Sequence, residues 1–142
     1  MAAKIRAIQQ VTNGQVEVLE GWGGLYVLEL TPIGIAGLMP GLALADILHR
    51  VYGLRRAGQA TEAFGLFERI LPQIVFSLQN MELYLYCEKR LLRARGLLAN
   101  ERCRTPAYTP DADSVRYVDE LNERIVETLG QMKLPAAALV SA

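Results

Sequence analysis

The sequence predicts an α/β protein: a partial TIM (β/α)8 barrel, comprising its last two strands with their helices, followed by an all-helical C-terminal extension. Three observations lead there. The stretch Val16 to Gly41 reads as strand, glycine-rich turn, helix and strand, opening into another helix, with connections too short for anything but a β-α-β unit. Both strands are short apolar runs, as strands buried on both faces are. Everything after Gly41 has helical periodicity. A two-stranded parallel sheet cannot bury both faces or pair both edges, so these strands need others beside them. A whole barrel takes about 250 residues, and this sequence has 142. The expectation is either a piece of a longer protein or a chain that borrows strands from another.

Taken in order, Lys4 to Val11 is a short helix, with Ile5, Ile8 and Val11 on one stripe and Asn13-Gly14 as its stop. Val16 to Leu19 is the first strand. Glu20-Gly21-Trp22-Gly23-Gly24 is the turn, and Gly24 to Ile33 is a helix carrying Leu25, Leu28 and Leu30, with Pro32 near its end. Ile35 to Met39 is the second strand. Leu42 to Ala57 is amphipathic, with Leu44, Ile47, Leu48, Val51 and Leu54 on one face and Gly58 as the stop.

Residues 1–58 are thus the barrel part and 59–130 the extension. Ala60 to Gln79 presents Ala63, Phe64, Phe67, Ile70, Leu71, Ile74 and Leu78, and Pro72 should kink or divide it. Met81 to Arg95 turns Leu83, Cys87, Leu91 and Leu92 inward, and Gly96 ends it. Leu97 to Pro110 is irregular. Asp113 is the expected N-cap of a helix over Ser114–Leu129 with Val115, Val118, Leu121 and Ile125 inward. The tail 131–142 has no pattern that would order it.

Composition narrows the function. Lysine plus arginine and aspartate plus glutamate both number 15, so the formal charge is zero and there is no basic face of the kind nucleic-acid binding needs. No apolar run approaches the ~20 residues that span a bilayer, and MAAKIRAIQQ is not a secretory leader. Two cysteines, Cys87 and Cys103, without metal-ligand spacing fit a reducing compartment, so a cytoplasmic location is expected.

The ordered set strand–Glu20-Gly21-Trp22-Gly23-Gly24, then Gly34-Ile35-Ala36-Gly37-Leu38-Met39-Pro40-Gly41, then a long helix with Asp46 near its start resembles the C-terminal half of the dihydrodipicolinate synthase/N-acetylneuraminate lyase family. Leu54-Arg55-Arg56-Ala57-Gly58, Leu71-Pro72-Gln73-Ile74, Glu88-Lys89-Arg90-Leu91-Leu92 and Arg95-Gly96-Leu97-Leu98 continue the match, which covers roughly Lys4 to Gly130. The resemblance implies lyases or aldolases on a TIM barrel, with Val16–Leu19 and Ile35–Met39 as strands seven and eight. In that family a lysine forms an imine with pyruvate or another 2-oxo acid, a tyrosine relays protons, and no cofactor is needed. The strands bearing those groups would precede this sequence, so no residue here is expected to be the nucleophile. Lys4 reads as a residue of the first helix and Lys89 as a surface lysine.

The resemblance leaves a substrate-binding set at the strand ends: Gly21, Met39, Glu20, Trp22, Pro40 and Gly41. Gly21 either lets backbone approach a 2-oxo acid or shares a tight turn with Gly23 and Gly24. Met39 either offers its carbonyl to the ligand or fills the barrel top. Trp22 stands where many members have a small polar or acidic residue, and either stacks on substrate or covers the rim. Glu20 either polarises a substrate hydroxyl or is an exposed rim carboxylate. Pro40 and Gly41 shape the next helix start, and His49 lies mid-helix with no partner ligand. Two functions are expected as alternatives: a homo-oligomeric 2-oxo-acid lyase of which these residues are one wall, or a non-catalytic half-barrel that completes its fold with another chain.

Overall fold

The structure, a computed structural model, describes residues 1–104 and 108–132. It divides into two units, Met1–Glu68 and Arg69–Ala142.

In the first unit, helix α1 spans Ala2–Val11 and ends where Asn13 (φ 49°) and Gly14 (φ 73°) turn left-handed. Its expected apolar stripe is only partly used. Ile5 is buried, whereas Ile8 is 39% and Val11 85% exposed. Ile5 packs with Leu30 and Ile35, and Ala2, Val18, Tyr26, Ile33, Leu38 and Tyr52 surround that cluster.

Strand β1 is Leu19–Glu20 and strand β2 is Gly37–Leu38, paired in parallel with Leu19 opposite Gly37 and Glu20 opposite Leu38. Both are shorter than the apolar runs Val16–Leu19 and Ile35–Met39, and β1 is displaced toward the turn. A strand extends only as far as its partner runs alongside. The ladder begins where Ala36 N–H donates to the Val18 carbonyl (2.9 Å) and ends where Met39 N–H donates to the Glu20 carbonyl (2.8 Å).

The connecting helix is also shorter than Gly24–Ile33. Gly23 (φ 63°) and Gly24 (φ 83°) hold the chain in a turn until α2, Val27–Leu30, which tightens into a 3-10 turn over Thr31–Ile33 with Pro32 inside it. Val27, outside the predicted apolar set, is fully buried. Gly34 (φ 95°) closes the turn. Gln9 of α1 braces it by donating to the Ile33 carbonyl (3.2 Å) and the Gly34 carbonyl (3.3 Å).

A 3-10 turn at Leu42–Leu44 leads into α3, Ala45–Arg56. Leu44, Ile47, Leu48, Val51 and Leu54 are all buried, as their spacing predicts. Two side chains of α3 fix the β-α-β connection: Tyr52 Oη donates to the Ile35 carbonyl (2.9 Å) and Arg55 Nε to the Leu28 carbonyl (2.9 Å).

Helix α4 spans Ala60–Ser77 and holds Pro72 without dividing. Proline lacks the N–H that would bond four residues back, so the helix forgoes one bond there. Ala63, Phe67, Ile70 and Ile74 are buried; Phe64 is 46% exposed, with the Arg55 guanidinium 5.7 Å from its ring centre.

In the second unit, α5 spans Met81–Ala94 and α6 spans Ala112–Gln131. Asn80 Oδ1 caps α5 by accepting from Leu83 N–H (2.8 Å), and Gly96 (φ 74°) turns the chain out of it. Helix α6 starts two residues before the predicted point. Asp111, not Asp113, is the cap, its Oδ1 accepting from Ser114 N–H (2.7 Å). Both aspartates have the right chemistry, but Asp111 has the extended backbone a cap needs (ψ 168°). Leu83, Tyr86, Cys87 and Val118 form one core cluster, with Phe76 and Tyr108 against it, and Leu91, Leu121, Ile125 and Leu129 are buried as well. Gln131 is still helical, and the predicted tail from 133 onward lies outside the described residues.

Candidate functional site

The carboxyl ends of β1 and β2 lie side by side; Glu20 is the last residue of β1, and the segments leaving the strands carry the other five residues of the predicted set. Glu20 is neither an exposed rim carboxylate nor free to polarise a ligand. It is 3% exposed, and each oxygen accepts a backbone N–H: Oε1 from Trp22 (3.0 Å) and Oε2 from Gly24 (2.9 Å). Buried N–H groups without partners are costly, so this carboxylate builds the turn. Sequence reading lacked that role because its partners are main-chain groups.

The three glycines of the turn separate into two kinds. Gly23 and Gly24 have positive φ, and a Cβ on Gly24 would lie 2.7 Å from Leu48 Cδ1, inside the core. They are glycine because the turn and its packing demand it. Gly21 does not have positive φ, and a Cβ there would meet only Met39 Cε, at an ordinary 3.7 Å. Neither conformation nor packing within the described residues calls for a glycine at that position.

Met39 is 60% exposed among the described residues, with its N–H spent on the Glu20 carbonyl. Pro40 and Gly41 follow, half-buried, with Gly41 extended (φ −67°, ψ 161°) at the entry to the 3-10 turn. Trp22 is 55% and Leu42 54% exposed. The strand ends therefore present Gly21, with Met39 Cε 3.7 Å from its Cβ position, beside the exposed side chains of Trp22 and Met39, while the Glu20 carboxylate is buried.

The remaining candidates lie elsewhere. Lys4 is exposed on α1 and His49 exposed on α3. Lys89 Nζ donates to the Arg102 carbonyl (2.6 Å). The second unit has its own polar cluster. Arg90 grips Asp119 with Nε (2.6 Å) and Nη2 (2.8 Å), and Glu101 with Nη1 (3.0 Å). The bonded Arg90 guanidinium holds the Asp119 carboxyl below the usual carboxylate range. Both cysteines are free thiols, and burial pushes Cys87 up to about 12. Among the described residues no group of His, Cys, Asp and Glu is placed to hold a metal ion, and no helix is long and apolar enough to cross a membrane.

No family model matches the chain, and no curated protein sequence matches it. Solved structures do. The crystal structure of dihydrodipicolinate synthase from Rhodopseudomonas palustris superposes with a TM-score of 0.78 at 30% identity, covering 87% of this chain and 42% of that one. The chain is similar to the C-terminal part of dihydrodipicolinate synthases. A proposed dihydrodipicolinate synthetase from Pseudomonas aeruginosa shares the fold, with a TM-score of 0.71 at 23% identity, covering 88% of this chain and again 42% of the other. The chain thus spans less than half the length of these two structures, which is consistent with a C-terminal segment of that family.

Proposed function

We propose that this chain forms one wall of the substrate pocket of a Schiff-base lyase acting on pyruvate or a related 2-oxo acid. In barrels of this kind the site lies at the carboxyl ends of the strands. Gly21 lets the ligand lie against the main chain, and the Met39 carbonyl faces it. The imine nitrogen, the proton relay and the groups that hold the carboxylate come from strands outside these residues. The chain needs no cofactor, works in a reducing, cytoplasmic setting and assembles into a homo-oligomer.

The observation that carries the reading is Gly21, a glycine for which neither backbone conformation nor internal packing gives a reason. Its place at the end of a strand is where a missing Cβ suits close approach of a ligand.

The test is borohydride trapping. A lysine amine adds to the keto carbon and loses water, and borohydride delivers hydride to the imine carbon, leaving a stable secondary amine. Incubated alone with pyruvate and borohydride, this chain should gain no mass. Mixed with a chain that supplies the preceding barrel strands, the complex should be modified on that other chain. An adduct on Lys4 or Lys89 would overturn the assignment. The alternative, a non-catalytic half-barrel completed by another chain, draws on the same one-sided pairing of β1 and β2. It predicts that the assembled complex is never modified.

A further inference from the structure

In the helical unit, Ala94 at the end of α5 and Asp119, Asn122, Glu123, Val126 and Glu127 of α6 line a groove of about 560 Å³, a volume in the range of ligand sites. All six residues belong to the second unit, so the groove stands apart from the strand ends and from the 2-oxo-acid reading. Asn122 is 3% exposed, and neither its Oδ1 nor its Nδ2 has a hydrogen-bond partner among the described residues. Buried amides are nearly always paired, because an unpaired one gives up its bonds to water without replacement. A group that satisfies Asn122 must offer a donor and an acceptor together, as a peptide main chain does.

The rim is acidic. Asp119 is held by Arg90 through both oxygens. Glu123 is exposed, with no ion pair or hydrogen bond among the described residues. Glu127 is exposed and accepts only from Gln131 Nε2 (3.3 Å). Val126, 37% exposed, and the exposed Ala94 add an apolar surface on which the stem of a lysine or arginine can lie. The carboxylates are not placed to share a metal ion, and an inorganic cation would leave Asn122 Nδ2 unpaired. Glu123 and Glu127 are four residues apart, about 6 Å along the helix axis. Alternate side chains of an extended peptide are spaced by about 6.6 Å, with main-chain amides between them.

We propose that this groove binds an extended peptide with basic side chains at alternate positions, its cations on Glu123 and Glu127 and a main-chain amide on Asn122. Pairing requires Asn122 to turn its amide toward the groove, which breaks no bond because it has none.

The full chain is titrated by calorimetry at low ionic strength with three probes. These are acetyl-Ala-Lys-Ala-Lys-Ala-amide, acetyl-Ala-Glu-Ala-Glu-Ala-amide and 1,4-diaminobutane, which carries the two charges of the lysine peptide without its amides. The lysine peptide should bind saturably at one site, and the glutamate peptide should not bind. Asn122→Leu replaces the amide by an apolar group of similar size. It should weaken the lysine peptide about ten-fold and leave the diamine unchanged. Its urea midpoint should hold or rise, since no bond is lost, so weaker binding is not loss of fold. The exposed pair Glu123→Gln and Glu127→Gln should weaken both cationic probes and flatten the dependence on salt. Undiminished peptide binding in Asn122→Leu, or a diamine that binds the native chain as tightly as the peptide, overturns the proposal and leaves a merely acidic surface. Peptide binding that is lost on adding a chain that supplies the preceding barrel strands also overturns it, because the groove is then covered in the assembled protein.

Discussion

At the strand ends the buried carboxylate of Glu20 is bound by main-chain N–H groups, and side chains around it are apolar or absent. Between α5 and α6, carboxylates are bound by guanidinium groups: Asp119 and Glu101 by Arg90, and Glu101 again by Arg93. The first arrangement fixes a backbone path in a buried place. The second joins two helices at a partly exposed surface, where Asp119 keeps 46% of its side chain in solvent. Desolvation is what separates them. A lost partner inside leaves an N–H with no water to turn to, whereas a lost partner outside is replaced by water. Loss of a buried partner or of a turn glycine at the strand ends should therefore cost far more than charge removal on α6.

The sharpest test of that contrast is Gly24→Ala. It forces a left-handed residue to carry a Cβ and drives that Cβ to within 2.7 Å of the buried Leu48. Strain of ~1–2 kcal/mol from the backbone and a similar overpacking term add up to about 3 kcal/mol, read from urea unfolding. Gly21→Ala, three residues away, should change stability by less than ~0.5 kcal/mol. Equal losses at the two positions would erase the distinction between a turn glycine and a site glycine.

Next in size is Glu20→Ala, which orphans the N–H groups of Trp22 and Gly24 and should cost about 2 kcal/mol. Glu20→Gln keeps one acceptor and should lose about half as much. On the helical side, Asn80→Ala removes the cap of α5 and should cost about 1 kcal/mol by the same measurement.

Among the changes that remove a polar partner, the smallest effect is expected at Asp119→Asn, below ~1 kcal/mol at neutral pH because the pair is solvent-screened. Its signature is pH dependence. Arg90 lowers the folded-state carboxyl below its unfolded value of about 3.9. Its contribution is therefore complete above that value and lost as the pH falls through the lower, folded one. The variant should show a flatter acid limb in a stability-versus-pH series. An unchanged limb would mean the ion pair contributes nothing to stability.

The same division decides what could be read from the chain. The stripe of α3, Leu44 to Leu54, and that of α5, Leu83 to Leu92, were legible because a helix's buried face is written at fixed spacing in its own residues. The strands were legible in kind but not in extent, because Leu19–Glu20 ends where Gly37–Leu38 ends, and periodicity within one segment does not show the other. Ile8 and Val11 share the spacing of Ile5, yet periodicity states only which residues could be covered, not what covers them. At the site, Gly21 and Met39 could be placed at strand ends, but the turn role of Glu20 could not be read. Its partners are the N–H groups of Trp22 and Gly24, which every residue type except proline also carries.

The one-sided pairing of the sheet bears on solubility. Among the described residues each strand has one neighbour, so each also has a row of main-chain groups facing away from the ladder. Bare strand edges beside exposed apolar side chains such as Val16 and Leu19 recruit other chains and lead toward fibrils. Here each strand is two residues long, and Pro40, which has no N–H to donate, lies two residues past the end of β2. An incoming strand finds too few bonds to hold it and a break where the ladder would lengthen. The edge can be completed by a well-fitted barrel neighbour without serving as a template for indefinite growth.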